Sequence, residues 1–329
     1  MIAFDNYDAL LDEAWSASKA PRSRDALKVV STFAGCGGSS LGYHMAGLKE
    51  LLAVEWEDHA AAMFKANFPS VPLVQRDIVK MSVSECLDRA GLVQGELDIL
   101  DGSPPCQGFS TSGARDMSDS RNTLFREYAR LLSGLMPRAF VMENVSGMVK
   151  GDFRLVFVEV LRVLKKCGYR VAVRLLNTQW FGVPQSRERL VFIGLRDDIG
   201  VDASHPLAWS EPISIRSALD VPGINGVREG FGPTHLAGVR TADFENKWRP
   251  VTRPCPTVVK TRPPILRFTD GSQREMTAAE CMRVCSFPPG FVAVGPDKKV
   301  AARAGNCVPP LFMRSIAQHV ARILTEATK

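Results

Sequence analysis

The amino-acid sequence predicts an α/β protein in which a doubly wound, mostly parallel sheet is followed by a second, smaller, loop-rich domain. Apolar segments of strand length alternate with helical segments between residues 28 and 196, and such alternation is typical of parallel sheets. A glycine-rich turn separates the first strand from the first helix of this series. Residues 197–276 are instead rich in proline and glycine, which predicts loops and short pieces of secondary structure.

The predicted elements of the sheet follow one another in regular order. Strands are predicted at residues 29–33, 51–56, 71–74, 97–100, 139–142, 170–176 and 190–195. A helix is predicted at residues 124–135, and helical periodicity returns at residues 277–285 and 310–325. The chain is therefore expected to come back to the first domain after the loop-rich one.

Changes in composition and in hydrophobic periodicity divide the chain into segments. Residues 1–27 form an N-terminal extension with an amphipathic helical segment, whose role the sequence does not reveal. The first domain is predicted to comprise residues 28–196 together with 301–329, and the second domain residues 197–276. The segment 277–300 is predicted to be a hinge between them.

The composition excludes several classes of protein. Of the 329 residues 45% are apolar and 23% are charged, as in globular proteins with a sizeable core. The eight cysteines include no Cys-x-x-Cys pair and follow no secretory leader, which predicts reduced thiols in the cytoplasm, and no metal site. No apolar stretch approaches 18 residues, so no membrane span is predicted. A net charge of +6 and a pI near 8.9 permit a polyanionic partner.

The first three strands end in residues that predict a pocket for a nucleoside. Gly35 and Gly38 belong to the glycine-rich turn, whose backbone N–H groups and helix N-terminus suit a charged ligand. Glu55 ends the second strand, where a carboxylate accepts bonds from both ribose hydroxyls, and Trp56 offers a flat face for a base. Asp77 follows the third strand and is suited to an exocyclic amine. No additional cation for phosphates accompanies this group, so a nucleoside cofactor without phosphates is predicted.

Reactive side chains follow the next strands. Pro104-Pro105-Cys106 comes after the fourth strand, and the prolines stiffen a loop that presents the thiol as a nucleophile. Glu143 ends the fifth strand, where an acid either caps a helix or bonds a ring nitrogen and an exocyclic amine. Arg187 and Arg189 have the i, i+2 spacing that places two side chains on one face of an extended segment. Such a pair suits one phosphate and one carbonyl oxygen, unless it is merely a solvated charge run.

With these residues the chain resembles the DNA cytosine-5 methyltransferases of bacterial restriction-modification systems. The family's motifs have counterparts, in the family's order, at residues 33–38, 55–56, 77–78, 102–110, 119–125, 142–145, 185–189, 253–258 and 305–310. The resemblance extends over residues 29–320. Cys36 in the glycine turn, Cys307 in the last motif and the N-terminal extension depart from the family pattern without affecting a catalytic position.

The resemblance implies a mechanism and a cofactor. Cys106 is expected to add to C6 of a cytosine flipped out of the duplex, which activates C5 toward the methyl group of S-adenosyl-L-methionine. Glu143 is expected to bond N3 and the N4 amine, Arg189 to hold O2, and Arg187 to meet a phosphate. The loop from Gln107 to Arg121 is expected to close over the site. The residues expected to bind the cofactor are Phe33, Gly35, Gly38, Glu55, Trp56, Asp77, Ile78, Leu124 and Asn306.

Double-stranded DNA is the partner that the resemblance implies, and residues 197–276 are expected to read a short recognition site. Six cations between residues 246 and 269 occur without an acid and alternate with aromatic residues, a pattern typical of a strip that follows phosphates. The residues expected to contact DNA are Gln107, Ser110, Lys247, Arg249, Arg253, Lys260, Arg262 and Arg267. A monomer in the cytoplasm is expected, and the sequence leaves two alternatives open, a cognate restriction endonuclease as genetic partner or a solitary methylase.

Three other functions compete with this interpretation. An RNA cytosine-5 methyltransferase of the same fold shares the catalytic motifs, but the continuation Gln107-Gly108-Phe109-Ser110 is that of the DNA enzymes. A catalytically inactive DNA-binding relative is expected to lack Cys106, Glu143 or one of the arginines, and none is lost. A dinucleotide-dependent enzyme is disfavoured because Ser40 replaces the third glycine of the usual fingerprint.

Overall fold

A seven-stranded sheet forms the centre of the protein. The computed structural model describes residues 6–105, 124–149, 154–230 and 248–327. The strands are β1 (Lys28–Thr32), β2 (Lys49–Glu55), β3 (Leu73–Gln75), β4 (Ile99–Gly102), β5 (Ala139–Val145), β6 (Tyr169–Asn177) and β7 (Glu188–Arg196). Their order in the sheet is β3-β2-β1-β4-β5-β7-β6, and only β7 runs antiparallel to its neighbours. The predicted fold class is thereby confirmed.

Helices cover both faces of this sheet. They are α1 (Tyr7–Lys19), α2 (Gly38–Met45), α3 (Asp58–Asn67), α4 (Val83–Ala90), α5 (Leu124–Leu135), α6 (Arg154–Lys166), α7 (Ile215–Ala218), α8 (Ala278–Val284), α9 (Asp297–Asn306) and α10 (Pro310–Glu326). Along β5, Ala139 and Val141 join the core beneath α2, α3 and α10, whereas Phe140 and Met142 join the core beneath α4, α5 and α6. A strand whose successive side chains enter two cores reads as continuously apolar, which explains why β5 was recognisable in the sequence.

The helix that follows the glycine turn lies in direct contact with the last helix of the chain. A Cβ atom placed on Gly42 of α2 would lie 2.6 Å from the Cβ of Met313 and 2.7 Å from the carbonyl oxygen of Pro310. Two helix backbones approach this closely only where one of them carries glycine. The contact fixes α10 against the first helix of the sheet domain.

The loop-rich region contains a second sheet. It consists of β8 (Ile224–Arg228), β9 (Arg249–Pro250), β10 (Ile265–Phe268) and β11 (Gln273–Glu275), in the antiparallel order β11-β10-β8-β9. Its strands are two to five residues long and lie between proline- and glycine-rich connections. Strands this short carry little periodicity, so the sequence predicted loops and short pieces of secondary structure here without locating the strands.

Helix α1 and the segment 277–300 attach to the sheet domain through specific bonds. The side-chain amide of Asn67 donates to Val292 O at 2.9 Å, and its carbonyl oxygen accepts from Val292 N at 2.7 Å. The hydroxyl of Tyr7 donates to Arg283 O at 3.0 Å, and Asp8 forms an ion pair with the Arg283 side chain at 2.5 Å. The predicted hinge, residues 277–300, is thus bonded to α3 through Val292. Helix α1 is bonded to α8, the helix with which this hinge begins. In the described ranges, no helix is long and apolar enough to cross a membrane.

We expect Gly42→Ala to lower the free energy of unfolding by about 1–3 kcal/mol, because the new methyl group forces α2 and α10 apart. The midpoint of urea unfolding measures this effect. Asp12→Ala, on the exposed side of α1, is the control and should change stability by no more than about 0.5 kcal/mol. An unchanged midpoint for Gly42→Ala would mean that α2 and α10 accommodate the methyl group without a loss of stability.

Candidate active site

The carboxyl ends of the parallel strands and the first residues of β7 meet at one edge of the sheet. Because β7 is antiparallel, its register places Arg189 opposite Val145, at the carboxyl end of β5. Ligands bind at this edge in open α/β sheets. Most residues predicted for the cofactor lie at or just after the ends of β1, β2 and β3, while Leu124 begins α5 and Asn306 ends α9. Of the residues predicted for the base, Cys106 follows β4, Glu143 lies near the end of β5, Arg187 immediately precedes β7 and Arg189 lies at its start.

The glycine turn after β1 provides open space and a tight contact at different positions. Gly35 and Gly37 have left-handed φ angles of 58° and 95°. A Cβ atom on Gly35 would meet nothing within 4 Å, whereas one on Gly38 would lie 2.4 Å from the carbonyl oxygen of Val308. Gly35 therefore borders free space, and Gly38 admits the backbone of the last motif.

Glu55 is already held by three backbone N–H groups. Its Oε1 accepts from Trp56 N at 2.9 Å and Glu57 N at 2.8 Å, and its Oε2 accepts from Gly35 N at 2.7 Å. A carboxylate has about four acceptor positions, so about one remains, on Oε2. In this geometry Glu55 has room for one ribose hydroxyl, whereas the sequence predicted both.

The remaining cofactor candidates frame the same edge. The side chain of Trp56 is 70% exposed, so its ring makes little contact with the protein and is available for stacking. Asp77 is exposed and accepts from Val79 N through one oxygen, and Ile78 behind it is buried. Open space at Gly35, an exposed indole and two carboxylates that each keep an acceptor position fit a nucleoside. The side chains of Phe33 and Leu124 are half-buried, that of Asn306 is exposed, and their cofactor contacts stay predictions.

On the base side, Glu143 and Arg189 form a buried ion pair. Arg189 Nε lies 2.7 Å from Glu143 Oε1, and Glu143 is 9% exposed. Burial lowers the pKa of the Arg189 guanidinium to about 10; the charge of Arg187 acts in the same direction, and Glu143 opposes both. Arg189 therefore remains charged at neutral pH. The structure brings together the acid and the arginine that the sequence assigned to one base.

The stem of the cysteine loop is fixed on both sides. Asn144 Nδ2 donates to Pro104 O at 3.3 Å, and a Cβ atom on Gly102 would lie 2.5 Å from both Thr32 Oγ1 and the Tyr128 ring. The loop thus leaves β4 in a defined direction next to Glu143. Cys106, Gln107 and Ser110 lie outside the described residues.

Two polar residues at this edge were not assigned a role from the sequence. Asn144 holds the stem of the cysteine loop, although it stood within a recognised motif. Asp101, in β4, is buried, and burial raises the pKa of its carboxyl group well above the usual value; a hydrogen bond from Tyr43 at 3.1 Å opposes this shift. An acid within an otherwise apolar strand was the available signal for Asp101.

Arg187 requires a correction. Its side chain is 2% exposed, and it donates to Val258 O at 2.9 Å, Gly305 O at 2.9 Å and Cys307 O at 3.2 Å. These three carbonyl groups accept from the two terminal nitrogens, whereas the buried Nε has no acceptor among the described residues. The geometry contradicts the phosphate contact that the spacing predicted and makes Arg187 the link between the second domain and the last motif.

The cations predicted to contact DNA differ in their surroundings. Arg249 faces Glu229 at 4.0 Å, and Arg262 lies 3.4 Å from Glu275. Both acids lie outside residues 246–269. They partly neutralise the strip of cations, which the sequence of residues 246–269 alone shows without an acid. Arg253 and Lys260 are exposed. Arg267 lies against Trp248, and Lys247 is outside the described residues.

The strand order and the ligand edge together define a class. A seven-stranded sheet with one antiparallel strand inserted beside β5 is the fold of the S-adenosylmethionine-dependent methyltransferases. The fold is similar to that of a DNA modification methyltransferase encoded within an E. coli prophage, with a TM-score of 0.72 at 23% identity; the superposition covers 91% of this chain and 100% of that chain. The superposition on DNMT2 of Spodoptera frugiperda covers 91% of this chain and 100% of that chain, with a TM-score of 0.66 at 19% identity. At these identities the likeness concerns the fold alone.

The family model for C-5 cytosine-specific DNA methylase matches residues 27–222 and 224–322. The chain therefore belongs to the C-5 cytosine-specific DNA methylase family. The type II methyltransferase M1.HphI of Haemophilus parahaemolyticus is 31% identical over 331 residues, which cover 91% of this chain and 88% of the relative. The type II methyltransferase M.NgoPII of Neisseria gonorrhoeae is 28% identical, with coverages of 93% and 99%. The predicted DNA cytosine-5 methyltransferase activity and the methyl donor S-adenosylmethionine are thereby confirmed.

We expect Arg187→Ala to lower the free energy of unfolding by on the order of 3 kcal/mol or more, because three buried carbonyl groups lose their donor. Urea unfolding measures the loss. Arg253→Ala, which removes an exposed arginine, is the control and should leave stability within about 0.5 kcal/mol. If Arg187→Ala kept full stability and instead reduced the salt dependence of DNA binding, the phosphate role would be restored.

Proposed function

We propose that this methyltransferase flips a cytosine out of a short duplex site and that Cys106 attacks C6 of the extruded base. The observation that carries this proposal is the buried Glu143–Arg189 ion pair beside the fixed stem of the cysteine loop. A buried acid and a buried cation 2.7 Å apart suit a small polar ring that presents both acceptors and an amine. Such a ring reaches a buried pair only after leaving the base stack, at a cost of a few kcal/mol.

The proposed chemistry makes C5 of cytosine nucleophilic. The Cys106 thiolate bonds to C6, and the electron pair of the C5–C6 double bond then becomes available at C5 for attack on an electrophilic methyl group. S-adenosylmethionine supplies that methyl group when it is bound. Removal of the C5 proton and departure of the thiolate from C6 restore the double bond. Free cysteine is only a few per cent thiolate at neutral pH, so a nearby cation favours the reactive form.

Glu143 and Arg189 act on the edge of the ring where charge develops. Glu143 is proposed to bond N3 and the N4 amine, and Arg189 to hold O2. In the described structure Arg189 uses one N–H group on Glu143 and one on Glu188 O at 2.7 Å. A guanidinium has five N–H groups, so three remain for a substrate oxygen. The ion pair therefore orients both side chains without exhausting the donors of Arg189.

The cofactor is proposed to lie against the glycine turn, with a ribose hydroxyl on Glu55 and the base on Trp56. The free position on Glu55 Oε2 and the exposed indole support this placement. Asp77 has an oxygen for the exocyclic amine. The other proposed cofactor residues are Phe33, Gly35, Gly38, Ile78, Leu124 and Asn306.

The second domain, residues 197–276, is proposed to read the duplex, with residues 277–300 joining it to the methyltransferase domain. Arg253 and Lys260, both exposed, support a phosphate-binding strip that also includes Lys247, Arg249, Arg262 and Arg267. Gln107 and Ser110 are proposed to contact DNA from the cysteine loop. The family model names DNA, which disfavours RNA as the substrate.

The type II designation of the relatives supports a restriction endonuclease as the genetic partner. We further propose that the enzyme acts as a monomer in the cytoplasm, where its cysteines stay reduced. None of the cysteines described in the structure forms a disulfide.

A mechanism-based substrate tests the proposal. Duplex DNA with 5-fluorocytosine at the methylated position should form a covalent adduct with the enzyme in the presence of S-adenosylmethionine, because fluorine does not leave as a proton does. Denaturing electrophoresis and mass spectrometry should locate the adduct at Cys106. Cys106→Ala should form none while binding S-adenosylmethionine nearly as well in calorimetry. An active enzyme that forms no adduct would refute the thiolate mechanism.

We expect Glu143→Gln to retain DNA binding and to slow single-turnover methylation by on the order of 10²–10⁴, the usual effect of losing an acid–base or charge-stabilising group. Rapid-quench kinetics with saturating DNA measure the rate. Glu127→Gln, on α5, removes the same charge from an ion pair with Arg130 and is the matched control, with an unchanged rate expected. An unchanged rate for Glu143→Gln would assign that residue a structural role.

A further inference from the structure

An arginine–tryptophan cluster, formed by Arg228, Trp248 and Arg267, lies on the second sheet. The guanidinium carbon of Arg228 is 5.3 Å from the centre of the Trp248 ring, and that of Arg267 is 4.7 Å from it. A Cβ atom on Gly226 would lie 3.2 Å from Trp248 Cε3. The absence of a side chain at Gly226 therefore allows the indole to pack directly on the backbone of β8. Both arginines are thus held on one aromatic ring.

Strand register places this cluster on the outer face of the second sheet. Gly226 pairs with Arg267 and Arg228 pairs with Ile265 across β8 and β10. Between them, Val227 pairs with Leu266, and both are 0% exposed within the protein core. Because side chains alternate along a strand, the arginines lie on the face opposite that core.

The positive charge of the cluster is not neutralised by the residues that the structure describes. In those ranges Arg228 forms no hydrogen bond or ion pair, and its buried Nε lacks an acceptor. Arg267 donates through Nε to Asn225 Oδ1 at 3.1 Å, and its terminal N–H groups have no acceptor among the residues that the structure describes. The neighbouring acids Glu229 and Glu275 face other arginines.

Another arginine on the same sheet shows the opposite arrangement. Arg274 lies over Phe268 at 5.5 Å, but its two terminal nitrogens bond the two oxygens of Glu280, each at 2.7 Å. That arginine is stacked and neutralised. Arg228 and Arg267 are stacked without neutralisation, so their donors are available to a ligand rich in acceptors.

The cluster is within reach of the catalytic edge. Arg187 bonds Val258 O, and from there the chain runs to Ile265, the partner of Arg228. Seven residues span at most roughly 23–25 Å, which corresponds to about seven base pairs at roughly 3.4 Å each. Gly230, two residues after the end of β8, lies against Pro263 of the same stretch, and a Cβ atom there would be 1.8 Å from Pro263 O. A short recognition site covers this distance.

We infer that Arg228 and Arg267, braced on Trp248, read guanine in the major groove beside the target cytosine; this inference rests on the proposed reading of duplex DNA by the second domain. A planar guanidinium forms two parallel hydrogen bonds to guanine O6 and N7, and no other base offers two acceptors in that arrangement. Stacking on the indole holds the guanidinium before DNA binds, so little further freedom is lost. A flexible lysine such as Lys260 lacks this property and suits phosphates.

The test uses the complete enzyme and a set of modified duplexes. Bisulfite sequencing of DNA from expressing cells first gives the methylated site. Each guanine of the site is then replaced singly by 7-deazaguanine, which lacks the N7 acceptor, and kcat/KM is measured. For the wild-type enzyme we expect one or two positions at which the replacement costs about tenfold or more.

The variants assign those positions to side chains. Arg228→Ala and Arg267→Ala should each lose roughly 10- to 100-fold in kcat/KM on the unmodified duplex, and each should become insensitive to 7-deazaguanine at one position. Trp248→Leu should reproduce this insensitivity, whereas Trp248→Phe, which keeps an aromatic face, should retain the sensitivity. Arg274→Ala is the matched control, with an unchanged profile expected. Lys260→Ala should weaken binding to all duplexes alike and lower the salt slope by about one.

Two results would overturn the inference. One is a loss for Arg228→Ala and Arg267→Ala that is equal on all duplexes with the 7-deazaguanine profile intact, which would make them phosphate contacts. The other is a wild-type enzyme indifferent to every 7-deazaguanine. Thermal unfolding of each variant excludes a folding defect, and adduct formation with 5-fluorocytosine reports the proposed chemistry separately from base reading.

Discussion

The hydrogen bonds of the buried Arg187 guanidinium are the interaction on which the rest of the active-site edge depends. A charge taken out of water is costly unless its donors find partners, and the two terminal nitrogens of Arg187 find them in the backbones of Val258, Gly305 and Cys307. These carbonyl groups come from the second domain and from the last motif. The residues just before β7, Val258 of the loop-rich region and the last motif therefore meet at one guanidinium.

That arrangement joins the two halves of the chemistry. Two residues beyond Arg187, Arg189 enters β7 and pairs with Glu143 on the base side. On the cofactor side, the segment that Arg187 holds continues to Val308, whose carbonyl oxygen packs against Gly38. The reversed direction of β7 makes this possible, since it brings the start of a strand to the edge where its neighbours end. The base-binding pair and the cofactor turn thus rest on one set of contacts.

The sequence predicted the main sheet well because its signals are local. Strands such as β5, buried on both faces, read as apolar runs, and α5 was placed at its observed bounds. Glu143 and Arg189, which the structure pairs, were singled out in the sequence by their positions relative to strand ends. Arg187 was not interpreted correctly because it precedes β7, so strand alternation does not govern its direction. Its partners lie 71 to 120 residues away and are backbone groups, which leave no trace in sequence spacing.

The contact between Gly38 and Val308 also bears on how the enzyme is made. The glycine turn leaves the ribosome early, but the backbone that closes one side of it is synthesised almost at the end of the chain. At 5–20 residues per second, the interval is roughly tens of seconds. During that time the glycine turn of the nascent protein lacks the backbone that packs against Gly38. This edge of the sheet is therefore completed only after the last motif has been synthesised.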